Sequence, residues 1–166
     1  MIIGIGGIST AGKSKLAEWI QSQVAGRKTI VLCQDNYAMP TPQIPVINGH
    51  TNWEIPESLD FDLFYANISD AAKENDIVIA EGLFVFYEQR LLDLFDKKIF
   101  LQISKRTFLA RKKTDLRWGK EPLWYMEHIW KSHHMYCQSI GEKTDAFIIS
   151  GENPVETGKV MRYLGL

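Results

Sequence analysis

Eight residues near the start of the chain, Gly7-Ile8-Ser9-Thr10-Ala11-Gly12-Lys13-Ser14, match G-x-x-x-x-G-K-[ST] at every fixed position. This pattern does one kind of chemistry. Its glycines permit a tight loop whose backbone N–H groups, those of Ser9, Thr10, Ala11 and Gly12 among them, converge on phosphate oxygens. A helix beginning near Lys13 adds its positive dipole end. Lys13 then reaches the β- and γ-phosphates, and Ser14 offers its hydroxyl to Mg²⁺. The expected cofactors are ATP and Mg²⁺.

Three further groups stand where a phosphate cradle could use them. Cys33-Gln34-Asp35-Asn36-Tyr37 closes an apolar run. A hydroxyl that receives phosphate needs a carboxylate to orient it and take its proton. Asp35 is the candidate base and can also touch Mg²⁺ through water, provided that its strand neighbours the first. Asp-Asn after a strand is equally ordinary turn chemistry. Glu81, in Ile79-Ala80-Glu81-Gly82, stands where the metal-side carboxylate of a phosphoryl-transfer site belongs, or caps the next helix. Lys105, Arg106, Arg111, Lys112, Lys113 and Arg117 form a basic segment, and phosphoryl transfer needs positive charge over the migrating group. A basic lid over residues 105–122 supplies it, with Arg111 and Arg117 as the chosen side chains.

A loop over residues 36–56 holds Pro40, Pro42 and Pro45 and ends at Pro56. Within it Trp53 can stack on a planar base or pin the loop to the core, and Glu54 can accept hydrogen bonds from hydroxyls. Trp118, Trp124 and Trp130 have helical or near-helical spacing, which points to packing. His128, His133 and His134 lie on one predicted helix without metal-ligand spacing, and His50 sits in a loop.

The elements that must position these groups alternate. Strands are predicted at Met1–Ile5, Thr29–Leu32, Ile77–Ala80, Lys98–Ile103 and Ala146–Ile149. Helices are predicted at Lys13–Val24, Pro56–Lys73, Glu88–Phe95, Arg106–Arg117, Pro122–Ile140 and Pro154–Leu164. Alternation of this kind predicts an α/β domain with a five-stranded parallel sheet and helices on both faces. Ligands in such folds sit beyond the carboxyl ends of the strands, so the motifs above form one site.

The 166 residues suffice for a single domain. Net charge is −1, with 19 basic and 20 acidic residues, which argues against a nucleic-acid track. Two cysteines without a CxxC pair suggest neither a disulfide framework nor a zinc site and fit a reducing cytoplasm. No apolar run approaches a membrane span, and the first residues lack a signal-peptide pattern. The expectation is a cytoplasmic monomer or homodimer with a small-molecule substrate.

Together these residues resemble the uridine kinase family of P-loop kinases, and within it the nicotinamide riboside kinases. The resemblance covers nearly the whole chain. It rests on Gly7–Ser14, on Gln34-Asp35-Asn36-Tyr37, on Asn52-Trp53-Glu54-Ile55-Pro56-Glu57-Ser58-Leu59-Asp60, on Ile79-Ala80-Glu81-Gly82 and on Arg106–Arg117. It implies a P-loop NTPase three-layer sandwich and transfer of the γ-phosphate of ATP to a riboside 5′-hydroxyl. It implies Asp35 as catalytic base, with Lys13 and Arg111 acting on the phosphates. Ser14, Asp35 and Glu81 fall to the metal. Gly7–Ser14, Arg111, Arg117 and Asn153, in the loop Ser150–Pro154, fall to ATP. Asp35, Tyr37, Trp53, Glu54 and Lys112 fall to the acceptor. Glu54 stands where the family usually has Asp, Ala38 where the riboside kinases have an aromatic, and Lys112 where they have Arg. A kinase of another small alcohol such as a sugar or pantothenate, or an ATP-binding module without transfer, shares most of this pattern. A GTPase does not, because no Asn-Lys-x-Asp segment is present.

Overall fold

A computed structural model describes residues 1–117, 119–138 and 144–166. Five parallel strands form the central sheet: β1 (Ile2–Gly7), β2 (Thr29–Cys33), β5 (Ile77–Gly82), β6 (Lys97–Gln102) and β7 (Phe147–Ser150). Their order is β2-β5-β1-β6-β7. The second predicted strand therefore does not neighbour the first. β5 lies between them, so Glu81 separates Asp35 from the phosphate loop. The long apolar run of β5 explains its place, because every residue of that strand is buried and a central position hides both faces.

The alternating side chains of the strands feed two cores. Ile3, Ile5, Ile77, Ile79, Ile99 and Leu101 face α1 (Lys13–Gln23) and α6 (Thr157–Leu164). Val78, Ala80 and Phe100 face α2 (Phe61–Glu74) and α3 (Gln89–Leu94), with Phe84 and Phe86 filling the space between. Phe64 and Ile68 of α2 are fully buried. Each such side chain contributes roughly 1.5–3 kcal/mol. The remaining elements are the hairpin β3 (Val46–Ile47) and β4 (His50–Thr51), with α4 (Lys105–Thr114) and α5 (Leu123–His133).

Several boundaries moved for identifiable reasons. The helix expected from Pro56 breaks into a single 3₁₀ turn, Pro56–Ser58, and then α2. Asp60 causes the restart: its side chain accepts a 2.9 Å hydrogen bond from the Leu63 amide and caps α2. The Pro-rich loop also holds the β3–β4 hairpin, turned by Asn48 at φ 47° and Gly49 at φ 78°. Asn-Gly is the residue pair that such a turn favours. The helix expected over Pro122–Ile140 is α5, continued by a π-helical turn over His134–Gln138. Its last two expected residues and Trp118 lie outside the described residues. Among the described residues no helix is long and apolar enough to cross a membrane.

Candidate active site

The loop between β1 and α1 wraps tightly because two of its residues adopt positive φ. Thr10 sits at φ 63° and Gly12 at φ 101°, and Gly12 caps α1. Thr10 is strained there, as a β-branched residue in the left-handed region. The strained backbone is held from outside. Arg111 of α4 donates from Nη1 to the Thr10 carbonyl at 3.0 Å and from Nη2 to the Gly151 carbonyl at 2.7 Å. Gly151 follows β7, and a Cβ there would sit 2.5 Å from the Ala11 carbonyl, so only glycine lets this loop close on the cradle. Lys13 folds back onto the Ile8 carbonyl at 3.2 Å.

Glu81 meets this loop from the end of β5. Ser14 Oγ donates to its Oε1 at 2.8 Å, and Glu81 is only 2% exposed. Cys33 on β2 is the register partner of Glu81. Burial, then Glu81 itself, pushes the Cys33 thiol up to about 12, which keeps it protonated and unreactive. Asp35 lies two residues further on, exposed, in a 3₁₀ turn over Gln34–Tyr37. That turn is pinned by the buried Gln34, whose Oε1 accepts from the Phe84 amide at 2.8 Å. Ser14, Glu81 and Asp35 thus offer hard oxygen donors at one end of the sheet. This set fits Mg²⁺, which keeps several waters and is commonly shared between one or two carboxylates and phosphate oxygens.

The cradle opens into one large cleft of about 1160 Å³. Asp35, Trp53, Glu54, Lys112 and Asn153 all line it, as do Arg111 and Arg117. Trp53 is 42% exposed, yet its backbone is fixed. Its amide donates to Tyr125 Oη at 3.3 Å, and its carbonyl accepts from Ser58 Oγ at 3.0 Å. Asn52 beside it binds the Glu54 amide at 3.3 Å and His128 Nε2 at 2.8 Å. The result is a rigid loop presenting an indole face.

Some candidates lie elsewhere or are already engaged. The Tyr37 ring packs on Phe64 at 4.9 Å and is not part of the cleft lining. Apolar contact with α2 wins over display to solvent. Arg117 makes a two-pronged ion pair with Asp115, at 2.8 and 2.7 Å. That pairing holds the Asp115 carboxyl down at about 2. Lys112, expected to contact the acceptor, is 5% exposed and paired with Glu121 at 3.2 Å. Trp130 packs on Phe108, and His133 stacks on Phe100. Asp115, Glu121 and Tyr125 line the cleft although nothing in their spacing marks them. They arrive there through tertiary contacts alone.

Glu54 is unusual among these carboxylates. Its Oε2 is enclosed and has no hydrogen-bond partner among the described residues. Burial pushes its carboxyl up to about 7, against the opposing pull of the Lys112 ammonium and with a further push from Glu121. A raised carboxyl is protonated in the folded chain while the unfolded chain has already ionised. Stability is therefore expected to fall as pH rises from about 4.5 to about 7 and to stay lower above that. Glu54→Gln should flatten this slope and stabilise the fold at pH 8 by on the order of 2 kcal/mol. Urea midpoints at pH 5 and pH 8 measure both effects, and an unchanged slope contradicts the assignment.

With this geometry in place, relatives can be compared. Residues 60–115, which carry Asp60, Glu81, Arg111 and Lys112, match the model of the phosphoribulokinase / uridine kinase family. A uridine kinase of Chlamydia pneumoniae is 32% identical over 139 residues, 68% of this chain and 62% of that one. Over residues 60–115 the chain is similar to this family. A second similar protein, nicotinamide riboside kinase 2 of Mus musculus, is 22% identical over 156 residues, covering 82% of this chain and 79% of the relative. The chain spans 28–66% of the length of four uridine kinases that it matches. Among solved structures, a possible uridine kinase from Bacillus stearothermophilus superposes with a TM-score of 0.63 at 15% identity, over 90% of this chain and 88% of that one. That likeness carries the P-loop kinase fold, with its five-stranded parallel sheet.

Proposed function

We propose that this chain is an ATP- and Mg²⁺-dependent kinase that transfers the γ-phosphoryl group to a hydroxyl of a nucleoside or other riboside. One observation carries the reading. The phosphate cradle, Asp35 and the Trp53–Glu54 loop open into a single cleft, so a donor phosphate and an acceptor hydroxyl can meet without crossing solvent. The names of the similar proteins in the family support the same acceptor class.

In this reading the backbone amides from Ser9 to Lys13 hold the phosphate tail, and Lys13 leaves the Ile8 carbonyl to follow the transferring group. Arg111 keeps the strained cradle closed and places positive charge beside it. Asp35 accepts the proton of the attacking hydroxyl. Ser14 and Glu81 would hold Mg²⁺, which would offset negative charge on the transferring phosphates. Trp53 stacks on the planar base of the acceptor, while Glu54 and Lys112 face its sugar.

Two measurements test these roles. The first is ATP consumption with Mg²⁺ over uridine, cytidine, nicotinamide riboside, pantothenate and a sugar panel. Turnover confined to ribosides is expected, and turnover confined to the others contradicts the acceptor class. The second concerns Trp53. Trp53→Ala should raise KM for the riboside by roughly 10-fold or more, in line with about 1–3 kcal/mol for base–aromatic stacking. KM for ATP should stay within about twofold; equal changes in both would make the indole a loop anchor.

A further inference from the structure

Lys112 is buried and held by one carboxylate. Its Nζ lies 3.2 Å from Glu121 Oε1, and Glu54 is within electrostatic reach of both. The pairing leaves acceptor capacity over. Glu54 Oε2 and Glu121 Oε2 are both enclosed, and among the described residues neither has a hydrogen-bond partner. One ammonium brings three donors to the four oxygens of Glu54 and Glu121. A buried carboxyl oxygen left without a donor is costly, so a ligand that supplies the missing donors binds there with advantage.

Both glutamates line the same cleft as Asp35 and Trp53. Beside Glu121, Lys112 is already paired, and Arg117 is paired with Asp115. A carboxylate placed against Glu54 and Glu121 meets two further carboxyl groups, whereas hydroxyl donors meet acceptors without a donor.

We infer that Glu121 is an acceptor-binding, specificity-determining residue. With Glu54 it forms a wall that takes hydroxyl donors of the acceptor and disfavours small alcohols carrying a carboxylate. This rests on the proposed kinase reading for the identity of the cleft. Glu121 follows in sequence the basic segment that carries Arg111.

The test is calorimetric binding of uridine, nicotinamide riboside, 2′-deoxyuridine, 3′-deoxyuridine and shikimate, with ATP as control. The proteins are the wild type, Glu121→Gln, Glu121→Ala, Lys112→Met and the Lys112→Met/Glu121→Ala pair, each checked by thermal melting. Glu121→Ala should weaken uridine about 10-fold or more and leave ATP within twofold. Glu121→Gln, which keeps the shape and one acceptor, should recover part of that loss. One of the two deoxynucleosides should lose much less than uridine does, because it lacks the hydroxyl that Glu121 reads. The double variant should bind uridine more weakly than Lys112→Met alone, and shikimate should bind the wild type at least tenfold more weakly than uridine.

If Glu121→Ala adds nothing in the Lys112→Met background, Glu121 acts only by holding the lysine and the inference is overturned. Equal losses for uridine and ATP overturn it as well. Binding of uridine without its phosphorylation leaves the inference standing and contradicts the proposed reaction. Phosphorylation that is indifferent to Glu121 does the opposite. A wild type that binds neither riboside overturns the inference together with the acceptor class.

Discussion

Lys13→Ala is expected to abolish ATP-dependent turnover, by about 10³-fold or more. The ammonium is the one lysine charge that the loop carries at the cradle, and positive charge over the transferring phosphoryl group is where such catalysts gain most of their rate. In the structure Lys13 donates to the Ile8 carbonyl at 3.2 Å. Losing that contact costs the fold roughly 1 kcal/mol at most. The melting temperature should therefore stay close to that of the parent while kcat collapses. Turnover near normal in the folded variant would remove the phosphate loop from the mechanism.

Asp35→Asn is the second large effect, a fall in kcat on the order of 10²-fold or more, with ATP binding largely intact. The amide has the size and shape of the carboxylate but cannot take the hydroxyl proton. The turn that carries Asp35 is set by Gln34 and Phe84, so the substitution should not disturb it. Glu81, already bound by Ser14 Oγ at 2.8 Å, remains to serve the metal side. Single-turnover kinetics separate the chemical step from binding. An unchanged rate would assign the proton to another group and leave Asp35 as a turn former.

The features legible in the sequence were those encoded locally. The phosphate loop depends on glycines at fixed spacing, and five strands announced themselves as apolar runs between helical patterns. Asp60 and Asn48-Gly49 were local signals too; they set the start of α2 and the β3–β4 turn inside stretches that composition alone marks as helix and loop. What the sequence could not carry was adjacency. That β5 inserts between β1 and β2 is a matter of which strand can hide both faces, and it places Glu81, rather than Asp35, against Ser14. Tyr37 and Arg117 have the right types in the right stretches, yet Phe64 and Asp115 take them up. Glu121 was silent because its meaning depends on Lys112, nine positions earlier and across a turn.

The acceptor end departs from the family pattern in a coherent way. Lys112 replaces a planar, forked Arg by a point charge, which a carboxylate can hold from one side. Glu54 is one methylene longer than Asp and turns an oxygen into an enclosed position. Glu121 then pairs with the lysine.

The most direct test of the central claim follows the phosphorus itself. The chain is incubated with Mg²⁺ and γ-labelled ATP in the presence of uridine or nicotinamide riboside, and the products are resolved by mass spectrometry and ³¹P NMR. The account predicts label in a riboside 5′-monophosphate, formed one for one with ADP, and loss of that product in Asp35→Asn. Binding of ATP with no labelled riboside, or label released only as inorganic phosphate at the same rate with and without acceptor, would contradict it.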